Sequence, residues 1–105
     1  MSDHVFAALA SLPRRKILSL LAVGELTAGQ ISEHFDMAKP SLSKHLRILE
    51  NAGLISSDKR GQFVYYQLVR EHLANTVHGF MQVVCPVAIK IKADARKRSK
   101  ENSSK

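Results

Sequence analysis

The chain of 105 residues is poor in several residue types that mark particular classes of protein. It has no tryptophan, one cysteine and three prolines. A single cysteine excludes an intrachain disulfide and a zinc site built from cysteines alone. The sequence also lacks the run of roughly 18 apolar residues that a membrane span needs, and residues 1–4 lack the charged start of a signal peptide. We therefore expect a cytoplasmic protein without membrane association.

The composition nevertheless supports a folded chain, because 45% of the residues are hydrophobic. The length suits one domain, which oligomerisation would help to stabilise. We predict a folded domain over residues 1–92 and a basic, flexible tail over residues 93–105.

Positive charge is concentrated near the end of the chain. The formal net charge is +7, but residues 90–105 hold seven Lys or Arg against two Asp or Glu. The other residues hold nine against seven, so the body of the protein is only mildly basic. Charge favours a polyanionic partner, but the prediction of DNA binding needs the pattern of residues as well.

Residues 27–51 carry that pattern. Thr27 and Gln30 fit a capping box that opens a short helix, and residues 36–38 interrupt the helical pattern. Pro40 is tolerated only in a first helical turn, so a second helix should begin within a residue or so of it. The stretch therefore predicts two short helices separated by a tight turn.

The second of these helices is amphipathic in a way that suits the DNA major groove. Leu42, Leu46 and Leu49 recur at i, i+4 and i+7 and predict a buried face. The opposite face has small hydroxyls and cations, namely Lys39, Ser41, Ser43, Lys44 and Arg47.

Each residue of this DNA-facing set has an expected role. Lys44 is predicted to donate to a guanine edge, and Arg47, one turn later, to a phosphate. Ser41 and Ser43 are short enough to allow close approach. His45 borders the apolar face, so both core packing and groove contact remain open for it.

The remaining pattern completes a winged helix-turn-helix. Residues 54–58 and 62–68 predict two strands joined by the segment Lys59-Arg60-Gly61, and Lys59, Arg60 and Gln62 are expected at the DNA. Helices are predicted over residues 4–10, from Pro13 towards Gly24, and from about Arg70. The cations Arg14, Arg15 and Lys16 are expected to remain solvated. The fold class is thus α+β, mainly helical, in the order α-α-α-α-β-β-α.

Five segments of the chain also resemble the ArsR family of bacterial winged-helix regulators. Between them they cover the second helix, both helices of the helix-turn-helix and the wing, within an overall resemblance from about residue 4 to residue 85. The segments are Leu12-Pro-Arg-Arg-Lys-Ile-Leu-Ser-Leu-Leu21, Glu25-Leu-Thr-Ala-Gly-Gln-Ile-Ser-Glu-His-Phe35, Lys39-Pro-Ser-Leu-Ser-Lys-His-Leu-Arg-Ile-Leu49, Asn51-Ala-Gly-Leu-Ile55 and Arg60-Gly-Gln-Phe-Val-Tyr-Tyr66.

The resemblance implies a dimeric repressor that binds a palindromic operator in double-stranded DNA and blocks transcription, including that of its own operon. In that family the first and last helices form the dimer contact. Carried over to this chain, the implied interface contains Val5, Phe6, Leu9, Leu73, Val77, Phe80, Met81 and Val84.

Two departures from the family pattern bear on function. Many members have a serine where Ala38 stands, and we expect the uncapped start of the recognition helix to be satisfied either by a DNA phosphate or by water. Metal-sensing members have paired cysteines in the first helix of the helix-turn-helix, where this chain has none.

The sequence predicts no metal site and no cofactor. His72 and His78 are six residues apart, about 240° around an ideal helix, so they do not chelate together. This places the chain closer to the metal-independent members, with no small-molecule or metal effector evident. A sensor released from DNA through Cys85, His72 and His78 is the alternative. An enzyme is not expected, since no nucleophile and base stand at a recognisable spacing.

Overall fold

A computed structural model describes residues 3–85 of the chain. The elements are α1 (Asp3–Leu9), α2 (Leu12–Val23), β1 (Leu26–Thr27), α3 (Ala28–Ser32), α4 (Lys39–Asn51), β2 (Ile55–Arg60), β3 (Phe63–Leu68) and α5 (Arg70–Val84). This is the predicted winged helix-turn-helix, with one additional short strand before α3. The predicted tail over residues 93–105, the domain end at residue 92 and any helix after Pro86 lie outside the described residues.

The structure divides into two compact units, one over residues 2–74 and one that begins at residue 75. The first unit contains α1 to α4, the sheet and the first turn of α5. No helix in the described part of the chain is long and apolar enough to cross a membrane.

The core of the first unit is built where α1, α2 and α4 meet the short α3 and the sheet. The predicted leucine face of α4 is buried, with Leu42, Leu46 and Leu49 between 0% and 4% exposed. Burying a leucine side chain contributes about 1.5–3 kcal/mol to the stability of the fold. Burial of this face therefore fixes the rotation of α4 about its own axis. The other buried apolar residues are Val5, Ala8, Ile17, Leu18, Leu21, Ile31, Ala52, Leu54 and Ile55.

The ends of the helix-turn-helix helices follow from local sequence. The Thr27 side chain accepts from the Gln30 amide (3.1 Å) and the Gln30 side chain accepts from the Thr27 amide (2.8 Å), which confirms the capping box. Pro40 lies in the first turn of α4 as predicted. Gly53, at φ 77°, closes α4, with its N–H donating to Glu50 and the Leu54 N–H to the Leu49 carbonyl. These two bonds form a Schellman motif.

The sheet differs from the prediction in two respects. It has three strands in the order β1-β3-β2, because Leu26 and Thr27 pair antiparallel with Tyr66 and Tyr65 of β3. The hairpin turn is also shorter than predicted, since Arg60 pairs with Phe63 and only two residues, 61 and 62, connect the strands. Lys59 and Arg60 therefore belong to β2 rather than to the loop, and Gly61 supplies the positive φ of 62° that the tight turn needs.

The second unit is represented by the later turns of α5. Its described residues carry several exposed apolar side chains, namely Phe80, Met81, Val83 and Val84. Such a run of exposed apolar side chains on one helix is uncommon on the surface of a monomer.

We predict that Gly53→Ala destabilises the first unit by about 1–2 kcal/mol, the cost of a left-handed residue with a Cβ. A Cβ at this position would also meet the His72 ring at 3.0 Å. The matched control is Gly29→Ala, at a helical glycine whose Cβ would meet only the Thr27 hydroxyl at 3.8 Å. Urea unfolding should show the control as stable as the parent or more so. Equal stability of the two variants would contradict the assignment of the α4 stop to Gly53.

Candidate nucleic-acid interface

The outward face of α4 presents the predicted set of small hydroxyls and cations to solvent. Lys39, Ser41, Ser43, Lys44 and Arg47 are all exposed. On this 13-residue helix Ser41, Lys44 and Arg47 lie away from the buried leucines, and Lys39 and Ser43 lie on the flank next to α3. The arrangement is that of a helix with one side in the core and the other side free to enter a groove.

The start of α4 is less open to an anion than the sequence predicts. Ala38 is the N-cap and its side chain makes no capping hydrogen bond, as expected. However, Pro40 has no N–H, and the amides of Ser41 and Leu42 both donate to the Ala38 carbonyl, at 3.0 and 3.2 Å. Few N–H groups remain for a phosphate, so we do not assign one to this turn.

A depression of about 210 Å³ flanks α4 on the side of α3. Small residues of α3 leave it open, the buried leucines of α4 form its floor, and Lys39 and Ser43 stand at its edge. Its lining consists of Ala28, Gly29, Ser32, Lys39, Leu42, Ser43 and Leu46. The side chains of α3 thus leave this flank of the recognition helix accessible.

His45 is half-buried and makes a contact that the sequence does not reveal. Its Nδ1 lies 3.2 Å from Nη1 of Arg14 on α2. Burial lowers the pKa of His45, and the positive charges of Arg14 and Lys44 lower it further. The ring is therefore neutral at physiological pH and is held on the side of α4 that faces α1 and α2.

Arg15 and Lys16 of α2 are exposed, as the sequence predicts, whereas Arg14 is half-buried. All three cations also make hydrogen bonds that the sequence does not reveal. Arg14 donates from Nε to the Ala8 carbonyl (2.8 Å) and from Nη2 to the Ala7 carbonyl (3.0 Å). Arg15 donates to the Leu9 carbonyl at 2.7 Å. These bonds supply partners to the last carbonyls of α1, of which that of Ala7 also accepts from the Ala10 N–H at 3.2 Å.

Lys16 acts in the same way on the turn after α3. It donates to the His34 carbonyl at 2.9 Å, and its ammonium lies 4.9 Å from the centre of the Phe35 ring. Lys16 therefore stabilises the connection between α3 and α4.

The wing carries the three residues predicted to contact DNA, but they are placed differently from one another. Lys59 is exposed on β2 and Gln62 is exposed in the two-residue turn. Arg60 instead forms a two-pronged ion pair with Glu25, with both N–O distances 2.7 Å. Its Nε also donates to Asp58 at 2.9 Å, and the guanidinium stacks 4.5 Å from the Tyr65 ring centre.

This cluster ties the wing to the segment between α2 and β1. Gln67 of β3 also donates to Glu25, at 2.9 Å. The hydrogen bond from Arg60 is the main cause that lowers the pKa of Glu25, and the two carboxylates raise the pKa of Arg60. Glu25 is separated from Arg60 by 35 positions, so only the pairing of β1 with β3, absent from the sequence prediction, could have indicated the contact.

The residues expected at a dimer interface also separate into classes. Val5 has no exposed surface and belongs to the core, so it has nothing to offer a partner. Phe6, Leu9, Leu73 and Val77 are half-buried. The exposed members are Phe80, Met81 and Val84, and they are joined by Val83, which lies outside the predicted set.

The three candidate sensor residues occupy unrelated surroundings. The His72 ring lies against Gly53, His78 is 3.0 Å from the Gln82 side-chain nitrogen, and Cys85 is an exposed free thiol. Among residues 3–85, no group of three or more His, Cys, Asp or Glu side chains is arranged to hold a metal ion.

Comparisons with known proteins agree with this geometry. A profile of the family described as "Bacterial regulatory protein, arsR family" matches residues 13–57, which span α2 to the start of β2. The chain is 44% identical over 82 residues to the transcriptional repressor SdpR of Bacillus subtilis, covering 78% of this chain and 91% of that protein.

Solved structures give the same result. A possible transcriptional regulator for arsenical resistance superposes with a TM-score of 0.71 at 32% identity, covering 90% of this chain and 97% of that one. An ArsR-like transcriptional regulator from Rhodococcus superposes with a TM-score of 0.72 at 25% identity, covering 89% and 88%. The chain belongs to the arsR family of bacterial regulatory proteins.

Proposed function

We propose that this chain is a homodimeric transcriptional repressor of the cytoplasm that binds a palindromic operator in double-stranded DNA and blocks transcription. The observation that carries the proposal is α4, whose buried leucine face turns a row of hydroxyls and cations outward within a helix-turn-helix. Membership of a family of transcriptional regulators supports it. Competition with polymerase for promoter DNA is the mechanism that follows.

In this proposal α4 lies in the major groove and each residue of its outer face has one task. Lys44 donates to acceptors on a guanine edge, and Arg47 contacts a phosphate and fixes the register. Ser41 and Ser43 are small enough to bring the helix axis close to the bases. Lys39 stands at the edge of the α3–α4 depression, where it meets the backbone of the DNA.

The wing adds a second contact through Lys59 and Gln62. Both are exposed near the tip of the hairpin, where a wing beside a recognition helix reaches a phosphate or the minor groove. Arg60 has a different role in this proposal. Because two carboxylates neutralise it, it orients the wing and does not contribute a free positive charge to DNA binding.

Two copies are needed because one protomer offers few contacts and little excess charge. The exposed apolar residues of the later part of α5 supply a surface that a second copy can cover. A symmetric dimer places two recognition helices on half-sites one helical turn apart, or a multiple of it, which is why the operator is expected to be palindromic.

We predict that Lys44→Ala reduces the preference for operator over unrelated DNA by roughly tenfold, the loss expected for one base contact. Arg47→Ala should weaken binding to both DNAs and lower the salt slope by about 1. Footprinting and titration on the DNA upstream of the gene measure both, with Asn51→Ala at the far end of α4 as the control. Footprints unchanged by the first two substitutions would refute the assignment of this face.

Releasing Arg60 from its carboxylate should strengthen DNA binding. We predict that Glu25→Gln raises the affinity for any duplex a few-fold and steepens the salt dependence by about one phosphate contact. Glu33→Gln removes the same charge from an exposed residue at the end of α3 and serves as the control. Arg60→Ala should change the affinity little in the parent chain. An equal effect of both glutamate substitutions, or a large loss with Arg60→Ala, would show that Arg60 already contacts DNA.

The dimer is tested on α5. A charge at Met81, which is 39% exposed, would be desolvated in the interface, so Met81→Lys should raise the dimer dissociation constant by at least tenfold. Gln82→Lys, one position later, is the control and should leave it unchanged. Sedimentation equilibrium distinguishes the two. A monomer–dimer equilibrium insensitive to Met81→Lys would move the interface elsewhere.

A further inference from the structure

Arg14 occupies an unusual position between three helices. It belongs to the first turn of α2, yet its guanidinium donates to two carbonyls at the end of α1 and also faces a side chain of the recognition helix. All three nitrogen atoms of the guanidinium group are therefore engaged in contacts. An arginine held at so many points has little freedom to move away from His45.

The chemistry of this contact determines which nitrogen of His45 carries the proton. A guanidinium has only donors, so the ring nitrogen that faces it must accept. That nitrogen is Nδ1, at 3.2 Å from Nη1. Neutral His45 is therefore protonated at Nε2, which points away from Arg14 and is a hydrogen-bond donor.

The position of His45 on α4 would allow the Nε2–H group to donate to a DNA base. The residue is half-buried on α4, between the exposed DNA-facing residues Ser41 and Lys44 and the buried Leu46. In the major groove, guanine O6 and N7, adenine N7 and thymine O4 are acceptors, whereas the amino groups of adenine and cytosine are donors. A ring fixed as a donor would discriminate between these two groups, and a ring free to change its tautomer would not.

We propose that Arg14 is a positioning residue for sequence reading, which holds His45 as the Nε2–H tautomer so that the ring donates to an acceptor on a base edge of the operator, where an amino group at the same place would be rejected. The proposal rests on the proposed function, because it needs α4 in the major groove. It goes beyond it by assigning a second base-reading residue and a residue on another helix that controls it.

The charges around the His45 ring also favour its neutral form. The groups that face His45 are Arg14 from α2 and Lys44 from its own helix, and α1 enters the network through the carbonyls of Ala7 and Ala8. Both cations lower the pKa of the ring, as does burial. Protonation below that pKa would place a second N–H against Arg14, so the contact exists only while the ring is neutral.

The first test uses a matched pair of arginine substitutions. Arg14→Met and Arg15→Met each remove one charge and capping bonds at the end of α1, but only the first removes the contact with His45. NMR of the ring nitrogens should show the Nε2–H tautomer in the parent and in Arg15→Met. In Arg14→Met both tautomers should be present and the pKa of His45 should rise. A ring protonated at Nδ1 in the parent, or unaltered by Arg14→Met, would overturn the proposal.

The same variants are then tested with DNA, using a duplex selected by the parent protein from a random library. Arg14→Met should reduce the preference for the selected duplex over an unrelated one roughly tenfold, as expected for one base contact, and Arg15→Met should preserve it. A loss equal for both duplexes would overturn base reading by His45. A parent protein that selects no sequence would refute the proposed function itself, which is a different result.

A second pair keeps the test valid if Arg14→Met does not fold. In His45→Asn the amide oxygen can still accept from Arg14, but no donor remains at the position of Nε2. In His45→Gln the amide nitrogen reaches that position. We expect the asparagine variant to lose roughly tenfold in operator preference and the glutamine variant to retain most of it. Equal preference in the two variants would show that the Nε2 donor is not read.

Discussion

Burial of the leucine face of α4 is the constraint on which the rest of the structure depends. Leu42, Leu46 and Leu49 are nearly inaccessible, and a helix anchored at three successive turns cannot rotate about its axis without exposing them. The outward direction of Lys44 and Arg47 follows from that burial rather than from any interaction of their own. The Schellman motif at Gly53 then ends α4 at a defined residue and directs the chain into β2.

Local features of the sequence were sufficient to predict most of the fold. The capping box at Thr27, the proline in the first turn of α4 and the glycine after it each act within a few residues, and the structure confirms all three. The hairpin was predicted, although its connection was placed over residues 59–61 and lies over residues 61–62. The two-residue strand β1 was not, because so short a segment has no periodicity and forms only by pairing with β3.

The outer face of the candidate site was predictable from the sequence, but the long-range contacts that hold its residues in place were not. The exposure of the α4 cations follows from helical periodicity, whereas the partners of Arg14 and Arg60 lie 31 and 35 positions away. A sequence contains no local signal for such contacts. This is why the sequence does not reveal that Arg14 contacts α1 and α4, or that Arg60 pairs with Glu25.

The strand order of the sheet determines how the length of the wing can change in evolution. β1 pairs with β3 only at Tyr65 and Tyr66, so beyond Tyr65 the backbone of β3 pairs with β2 alone. Adding or removing one residue pair at the turn would lengthen or shorten the wing by about 3.4 Å per residue and preserve which side chains face inward. The reach of the wing along the DNA can thus vary while the three strands and the helix-turn-helix keep their register.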